Sequence, residues 1–366
     1  MKTTPNLLSA VGIAQRDIEK RIAETMDAIF TDPEERFYFE AGGNAGYMMD
    51  TGNFDARTEG MSYGMMMAVQ MDRKDLFDRL WRFSLRYMYN ESGVYKGYFA
   101  WSVKPDGTRN SNGPAPDGEE YYAMALFFAS ARWGEGAPPL NYAAQARRIL
   151  RHALHQPTLV PGGHAMWDEN TMLIRFVPEL PFSDPSYHLP HFYERFALLA
   201  DEEDRPFWRR AAEVSRAYLD TTCHPVTGLA PEYAHYDGTP EITRGHGDFF
   251  SDAYRVAMNI GLDSAWYGQR KVYKTIADHL QAFLWDKEPF MTYTPAGSAK
   301  EPQALHPTAI IATTAAASLA TDTPLSREWV LKFWQTPPRR GDRRYYDNCL
   351  YFFCLLMLSG QYTVYA

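Results

Sequence analysis

Two kinds of helical segment take turns along this chain, and that alternation restricts its fold more than any other feature. Hydrophobic periodicity predicts twelve helices and little else. Ile18, Ile22, Met26 and Ile29 mark the first, with Ser9 as its expected cap, and a second runs from Gly60 to about Met71. Leu76, Leu80, Phe83 and Tyr87 share one face of the third; the fourth covers about 119–132 and the fifth about 141–155. The sixth begins near Tyr187, the seventh near Arg205, and the eighth and ninth span about 248–260 and 263–285. Pro307 suits the first turn of a tenth, where its missing N–H costs nothing. Ser326 can cap an eleventh, and the twelfth runs over about 343–358.

Odd-numbered helices are amphipathic, with charge on one face, whereas even-numbered ones such as 60–71 and 350–358 are apolar nearly all round. A helix apolar on every side must be buried. Outer and inner helices alternating in six hairpins give an all-α (α/α)6 barrel. No composition break marks a linker, so residues 1–366 read as one barrel domain. The Gly/Pro/aromatic stretches Gly42 to Phe54, Gly93 to Gly118 and Gly228 to Gly247 read as loops or short ribbons. The segment from Lys104 to Gly118 is rich enough in Gly, Pro, Asn and Asp to predict irregular backbone. Long ordered loops of this kind are usually functional.

A chain of 366 residues buries enough surface to need neither disulfide nor metal. Its net charge is −8 with no lysine/arginine run, which excludes the concentrated basic face that nucleic acid requires. Cys223, Cys349 and Cys354 form no disulfide framework, consistent with a reducing compartment. Charged residues interrupt the N-terminal stretch, and no apolar run is long enough to span a bilayer, so the reading is cytoplasmic with no membrane partner. Oligomeric state has no visible determinant.

The inner helices open on residues ill-suited to an apolar interior: Glu59, Asp117, His188, Asp252, His306 and Tyr346. Parallel inner helices bring such residues to one mouth. Each has a bland explanation as well. Glu59 can be a carboxylate favoured by the helix dipole, Asp117 an N-cap, and Asp252 the partner of Arg255 or Arg57. Together they point elsewhere, because like charges in a shared apolar site repel and at least one acid should hold its proton near neutral pH. Glycoside hydrolysis needs such a pair: one protonated carboxyl and one ionised carboxylate, roughly 6.5–9.5 Å apart when a water must fit between. Aromatics able to stack on sugar rings fall near helix starts or in loops: Tyr63, Trp101, Trp167, Tyr187, Tyr193 and Tyr254. His188 and His191 form an HxxH pair without the glutamate of a metalloprotease helix, and no CxxC is present, so no metal or other cofactor is expected.

The segments RTEGMSYGM (57–65), DGEEYYAMAL (117–126) and SDAYRVAMNIGLD (251–263) resemble glycoside hydrolase family 8. The resemblance runs over about 36–360. Within that family the stretches 38–65, 175–197 and 304–313 look closest to the reducing-end xylose-releasing exo-oligoxylanases. It implies inverting hydrolysis of β-1,4-xylo-oligosaccharides, with Glu59 as proton donor, Asp252 as the base that activates water, and Asp117 helping to distort the sugar at the cleaved bond. The candidate sugar contacts are Tyr63, Trp101, Trp167, Tyr187, His188, Tyr193, Tyr254, Arg255, His306 and Tyr346. Leu305, His306 and Pro307 resemble a loop that closes the cleft after one reducing-end unit, while Ala304 stands where a polar residue is expected. An endo-acting xylanase, glucanase or chitosanase of the same family, a sugar epimerase or isomerase using His188, His191, His246 or His306, and a non-catalytic sugar-binding protein are the competing readings.

Overall fold

A computed structural model describes residues 2–243 and 245–365. Six outer helices, α1 (Gln15–Phe30), α3 (Lys74–Phe83), α5 (Tyr142–Leu159), α7 (Arg205–Thr222), α9 (Lys271–Leu284) and α11 (Pro324–Gln335), alternate with six inner ones. The inner set is α2 (Thr58–Gln70), α4 (Pro116–Trp133), α6 (Pro190–Leu199), α8 (Arg255–Tyr267), α10 (Pro307–Ala316) and α12 (Arg344–Leu358). Burial follows the sequence pattern. In α2 every residue except Glu59 is buried, and in α12 every residue after Arg344. In α3 only one face is covered, by Leu76, Phe77, Leu80, Trp81 and Phe83.

Each inner helix packs against the next, and α12 closes the ring onto α2. The fold is therefore the (α/α)6 barrel that the alternation predicts. Because every outer helix returns the chain, the inner helices run in one direction and their N-terminal ends share one mouth. One hydrophobic cluster contains residues from all twelve helices. At the chain ends Lys2–Thr3 pairs with Thr363–Val364. Cys223, Cys349 and Cys354 are free and buried. Among the described residues no helix is long and apolar enough to cross a membrane.

Several boundaries differ from the periodicity. Asn6 rather than Ser9 caps a separate short turn, Leu7–Ala10, ahead of α1. Tyr87 lies in a wider turn, Ser84–Met88, that extends α3. Asp252 falls in a single tight turn, Ser251–Tyr254, and α8 begins only at Arg255. Asp263 belongs to α8, not to the outer helix after it, because Arg216 satisfies its buried carboxylate with two bonds of 2.7 and 2.8 Å. Thr323, not Ser326, is the cap of α11; Ser326 returns the bond from three residues on, a reciprocal capping box. The stretch 104–118 is not wholly irregular. Arg109–Ser111 pairs with Ser102–Val103, which pairs in turn with Ala56–Arg57, so this ribbon leads directly into α2 and Glu59.

Candidate active site

The mouth of the barrel is organised around one arginine. Arg255, at the start of α8, is only 2 % exposed in its side chain. A guanidinium carries five donors in a rigid planar fork, so a buried one must find several acceptors. Its Nη1 donates to Glu59 Oε2 at 3.0 Å, Asp117 Oδ2 at 2.9 Å and the Tyr63 hydroxyl at 3.0 Å. Its Nε donates to Ser186 Oγ at 3.1 Å. Nη2 faces Asp252 Oδ1 at 3.1 Å and Asp184 Oδ2 at 3.7 Å. Four carboxyls from four parts of the chain thus share one cation.

This arrangement limits how far apart the two proposed reacting groups can be. The terminal nitrogens of a guanidinium stand about 2.3 Å apart, so the facing oxygens of Glu59 and Asp252 are separated by no more than about 8.4 Å. Neither is sealed off: their side chains keep 15 % and 23 % exposure. Both line two adjoining pockets, as does Arg57. One pocket, about 320 Å³, is walled by Asp50, Asn53, Leu305, His306, Arg343 and Tyr346. The other, about 430 Å³, is walled by Trp101, Phe176, Val177, Tyr187, Tyr233 and Asp117. Glu59 and Asp252 therefore stand where the two pockets meet.

Charge crowding sets the proton inventory. Burial raises the Glu59 carboxyl to about 7; Arg255 opposes this, and the neighbouring Asp117 and Asp252 add to it. The helix-dipole effect at the start of α2 is thus outweighed by desolvation. Asp117 is also raised by burial against the pull of Arg255. Asp184, fully buried, is pushed well above the carboxylate range by burial and by Asp252. The Tyr345 hydroxyl donates to Glu59 Oε1 at 2.9 Å, so both Glu59 oxygens are held.

The structure brings Glu59, Asp117, Asp252, Trp101, Tyr187, His306 and Tyr346 to the cleft wall. It puts Arg255 and Tyr63 beneath that wall, in the ion cluster. Other expected sugar contacts lie deeper. His188 is fully buried between Ser183 Oγ at 2.8 Å and Ser215 Oγ at 2.9 Å. Tyr193 supports Tyr187 from behind, donating to its carbonyl at 3.2 Å and to Glu120. Trp167 is buried against Tyr193 and Trp208, and Tyr254 against Phe249. All four are core aromatic or imidazole groups by placement.

His306 sits at the head of α10 with Nδ1 on Asp347 Oδ2 at 2.9 Å. Asp347 is held further by Arg339 at 2.6 Å and the Ala309 N–H at 2.8 Å. The Leu305 carbonyl accepts from the same Arg339, which braces the 305–307 loop. Sequence reasoning missed Asp184, Glu232, Tyr345, Phe176 and Tyr233, and considered Arg57 only as a partner of Asp252, whereas it pairs with Asp50 and Asp55. Only Tyr345 carried a signal, as the neighbour of Tyr346 at an inner-helix start.

Comparison with known proteins agrees with this geometry. The family model for glycosyl hydrolases family 8 matches residues 38–360. The chain is 56 % identical over 364 residues to a reducing end xylose-releasing exo-oligoxylanase of Halalkalibacterium halodurans, covering 98 % of this chain and 94 % of that one. The solved structure of Rex8A from Paenibacillus barcinonensis complexed with xylose superposes with a TM-score of 0.97 at 55 % identity, covering 100 % of this chain and 98 % of the other. A reducing-end-xylose releasing exo-oligoxylanase variant complexed with xylobiose gives 0.98 at 54 % identity, with coverage of 100 % and 98 %. A four-carboxyl cluster at the mouth of a six-hairpin barrel and a match of this length have one common reading: the chain belongs to glycosyl hydrolases family 8.

Proposed function

We propose that this enzyme hydrolyses β-1,4-xylo-oligosaccharides of three or more units with inversion, releasing one xylose from the reducing end. The observation that carries the reading is the placement of Glu59 and Asp252 on one guanidinium, at the junction of two sugar-sized pockets. Glu59 gives its proton to the oxygen of the departing xylose, Asp252 takes one from the attacking water, and Asp117 bears on the sugar beside the cleaved bond. The upper limit of about 8.4 Å between facing oxygens admits the roughly 6.5–9.5 Å of an inverting pair and also the shorter spacing of a retaining one, so the stereochemical outcome is the deciding test. The 320 Å³ pocket behind Leu305 and His306 takes the leaving xylose; Trp101, Tyr187 and Tyr233 line the run for the rest of the chain. The xylose and xylobiose bound by the similar proteins support this substrate class. Short oligosaccharides and three free cysteines fit a cytoplasmic enzyme.

Xylotriose labelled at its reducing end decides between exo and endo action. The label should emerge first in free xylose; label appearing first in xylobiose would rule out release from that end. The protonation of Glu59 adds a pH prediction. Its carboxyl, raised to about 7, acts as acid only while protonated. The ratio kcat/KM should therefore hold up to about pH 7 and fall above it by about tenfold per unit. A pH–rate profile on xylotriose checks this; a rate that starts to fall near pH 5 would contradict the assignment.

A further inference from the structure

Two polar side chains that the proposed mechanism does not use sit behind Asp252. Glu232 and His246 face each other from two adjacent loop segments. The Glu232 N–H donates to the Asp248 carbonyl at 2.8 Å and the Tyr233 N–H to the His246 carbonyl at 2.9 Å. Between them the Glu232 carboxyl meets His246 Nδ1 at 2.6 Å. Glu232 is buried, whereas the His246 side chain is 41 % exposed. The Glu232 carboxyl also faces the main-chain N–H of Asp252, which draws its pKa down against the burial that raises it. That donor lies in the first turn of a helical segment, where no intrahelical acceptor is available.

The peptide leading into Asp252 is strained, is held at its carbonyl and faces Glu232 at its N–H. Ser251 has φ +36°, an unusual value for a residue with a side chain. Its carbonyl accepts from the Tyr346 hydroxyl at 3.1 Å, opposite the Glu232 contact. Strain of this kind persists only where the surroundings over-determine it. The same pair of loops reaches the cleft: the His246 ring stacks on Tyr233 at 4.5 Å and 29°, and Tyr233 lines the larger pocket.

We propose that Glu232 and His246 form a positioning pair, in which Glu232 fixes the peptide that carries Asp252 and His246 fixes both Glu232 and the Tyr233 wall. The proposal rests on Asp252 as the base. Burial, reinforced by Asp252 and Asp184, pushes Glu232 up to about 9, so at neutral pH it holds a proton to donate to Nδ1. A neutral acid behind the base adds no further negative charge to a crowded site. Glutamine reproduces its shape and its donor and acceptor groups.

The test compares His246→Ala, Glu232→Ala, Glu232→Gln and Asp252→Asn on xylotriose, with xylobiose affinity measured by calorimetry. Both alanine variants should lose about tenfold or more in kcat, as misplaced reacting groups do, with xylobiose affinity within about threefold of the native protein. Glu232→Gln should recover kcat to within about threefold of native. Native-like kcat in both alanine variants beside an inactive Asp252→Asn would overturn the pair. So would a rise in KM at unchanged kcat, or a glutamine variant as impaired as the alanine one. An active Asp252→Asn would overturn the base assignment instead. Should Glu232→Ala fail to fold, His246→Ala, whose site is open to solvent, carries the same comparison.

Discussion

Asp252→Asn is expected to lower kcat on xylotriose by at least about a thousandfold, near the upper part of the range for losing a general base. An amide keeps the shape of the carboxyl but cannot accept the proton that the attacking water must give up. Folding should survive. Asp252 is one of four carboxyls around Arg255, and the cation keeps Glu59 and Asp117 at 3.0 and 2.9 Å without it. Losing one anion also relieves Asp184 and Glu232, both of which are raised by the charge of Asp252. The thermal midpoint should therefore stay within about 5 °C of the native value, since ~1 kcal/mol moves a domain of this size by only a few degrees. Steady-state kinetics and a melting curve check both halves. A variant that unfolds would show that the cluster is needed for the fold, and one that turns over normally would remove Asp252 from the chemistry.

Arg255→Met should damage stability as well as rate, because it acts on four carboxyls at once. Methionine fills part of the space but leaves Glu59, Asp117, Asp184 and Asp252 in one region without the cation they share. Removing one partner of a buried ion cluster costs about 3–5 kcal/mol, and kcat should fall by at least about a hundredfold as the acid and base drift. The remaining activity should show a diagnostic change. Arg255 is the largest influence lowering both Glu59 and Asp117. Its loss should move the alkaline fall in rate to higher pH, not lower. Lysine would restore a charge but not the fork, so Arg255→Lys should recover stability more than rate. Urea unfolding and pH–rate profiles of the two variants test this; an unmoved alkaline limb in Arg255→Met would contradict the role given to the guanidinium.

The barrel was legible because its signal is periodic. Whether a helix is apolar on one side or all round depends on local sequence, and α2, α4 and α12 declare themselves buried without reference to a partner. Local signals misled where a tertiary contact changed the meaning of a residue. Asp263 looks like a helix start, yet it sits buried inside α8 because Arg216, on another helix, accompanies it. His188 and Tyr193 stand at an inner-helix start as a site residue would, but two serines and Glu120 satisfy them in the interior.

The carboxyls at the mouth were readable as candidates for the same reason as the helices: they interrupt apolar runs. The role of Arg255 was not. Its neighbourhood in sequence offers only Asp252, whereas Glu59, Asp117 and Asp184 arrive from segments far along the chain. Glu232 and Asp184 lie in loops whose positions are set by the assembled ring, and nothing in their own stretches marks them as buried. The 305–307 loop is an intermediate case. Pro307 announces the start of α10, but the brace from Arg339 and Asp347 depends on α12 packing beside it.

The most direct test of the two-carboxylate account is the anomeric configuration of the newly formed sugar end, followed by proton NMR in the first minutes of xylotriose hydrolysis. Water activated by Asp252 while Glu59 protonates the leaving oxygen must enter from the face opposite the departing xylose. The new end of xylobiose should therefore appear first as the α-anomer and only later equilibrate. Initial formation of the β-anomer would mean that a carboxylate, not water, makes the first attack, and the roles assigned to Glu59 and Asp252 would not stand.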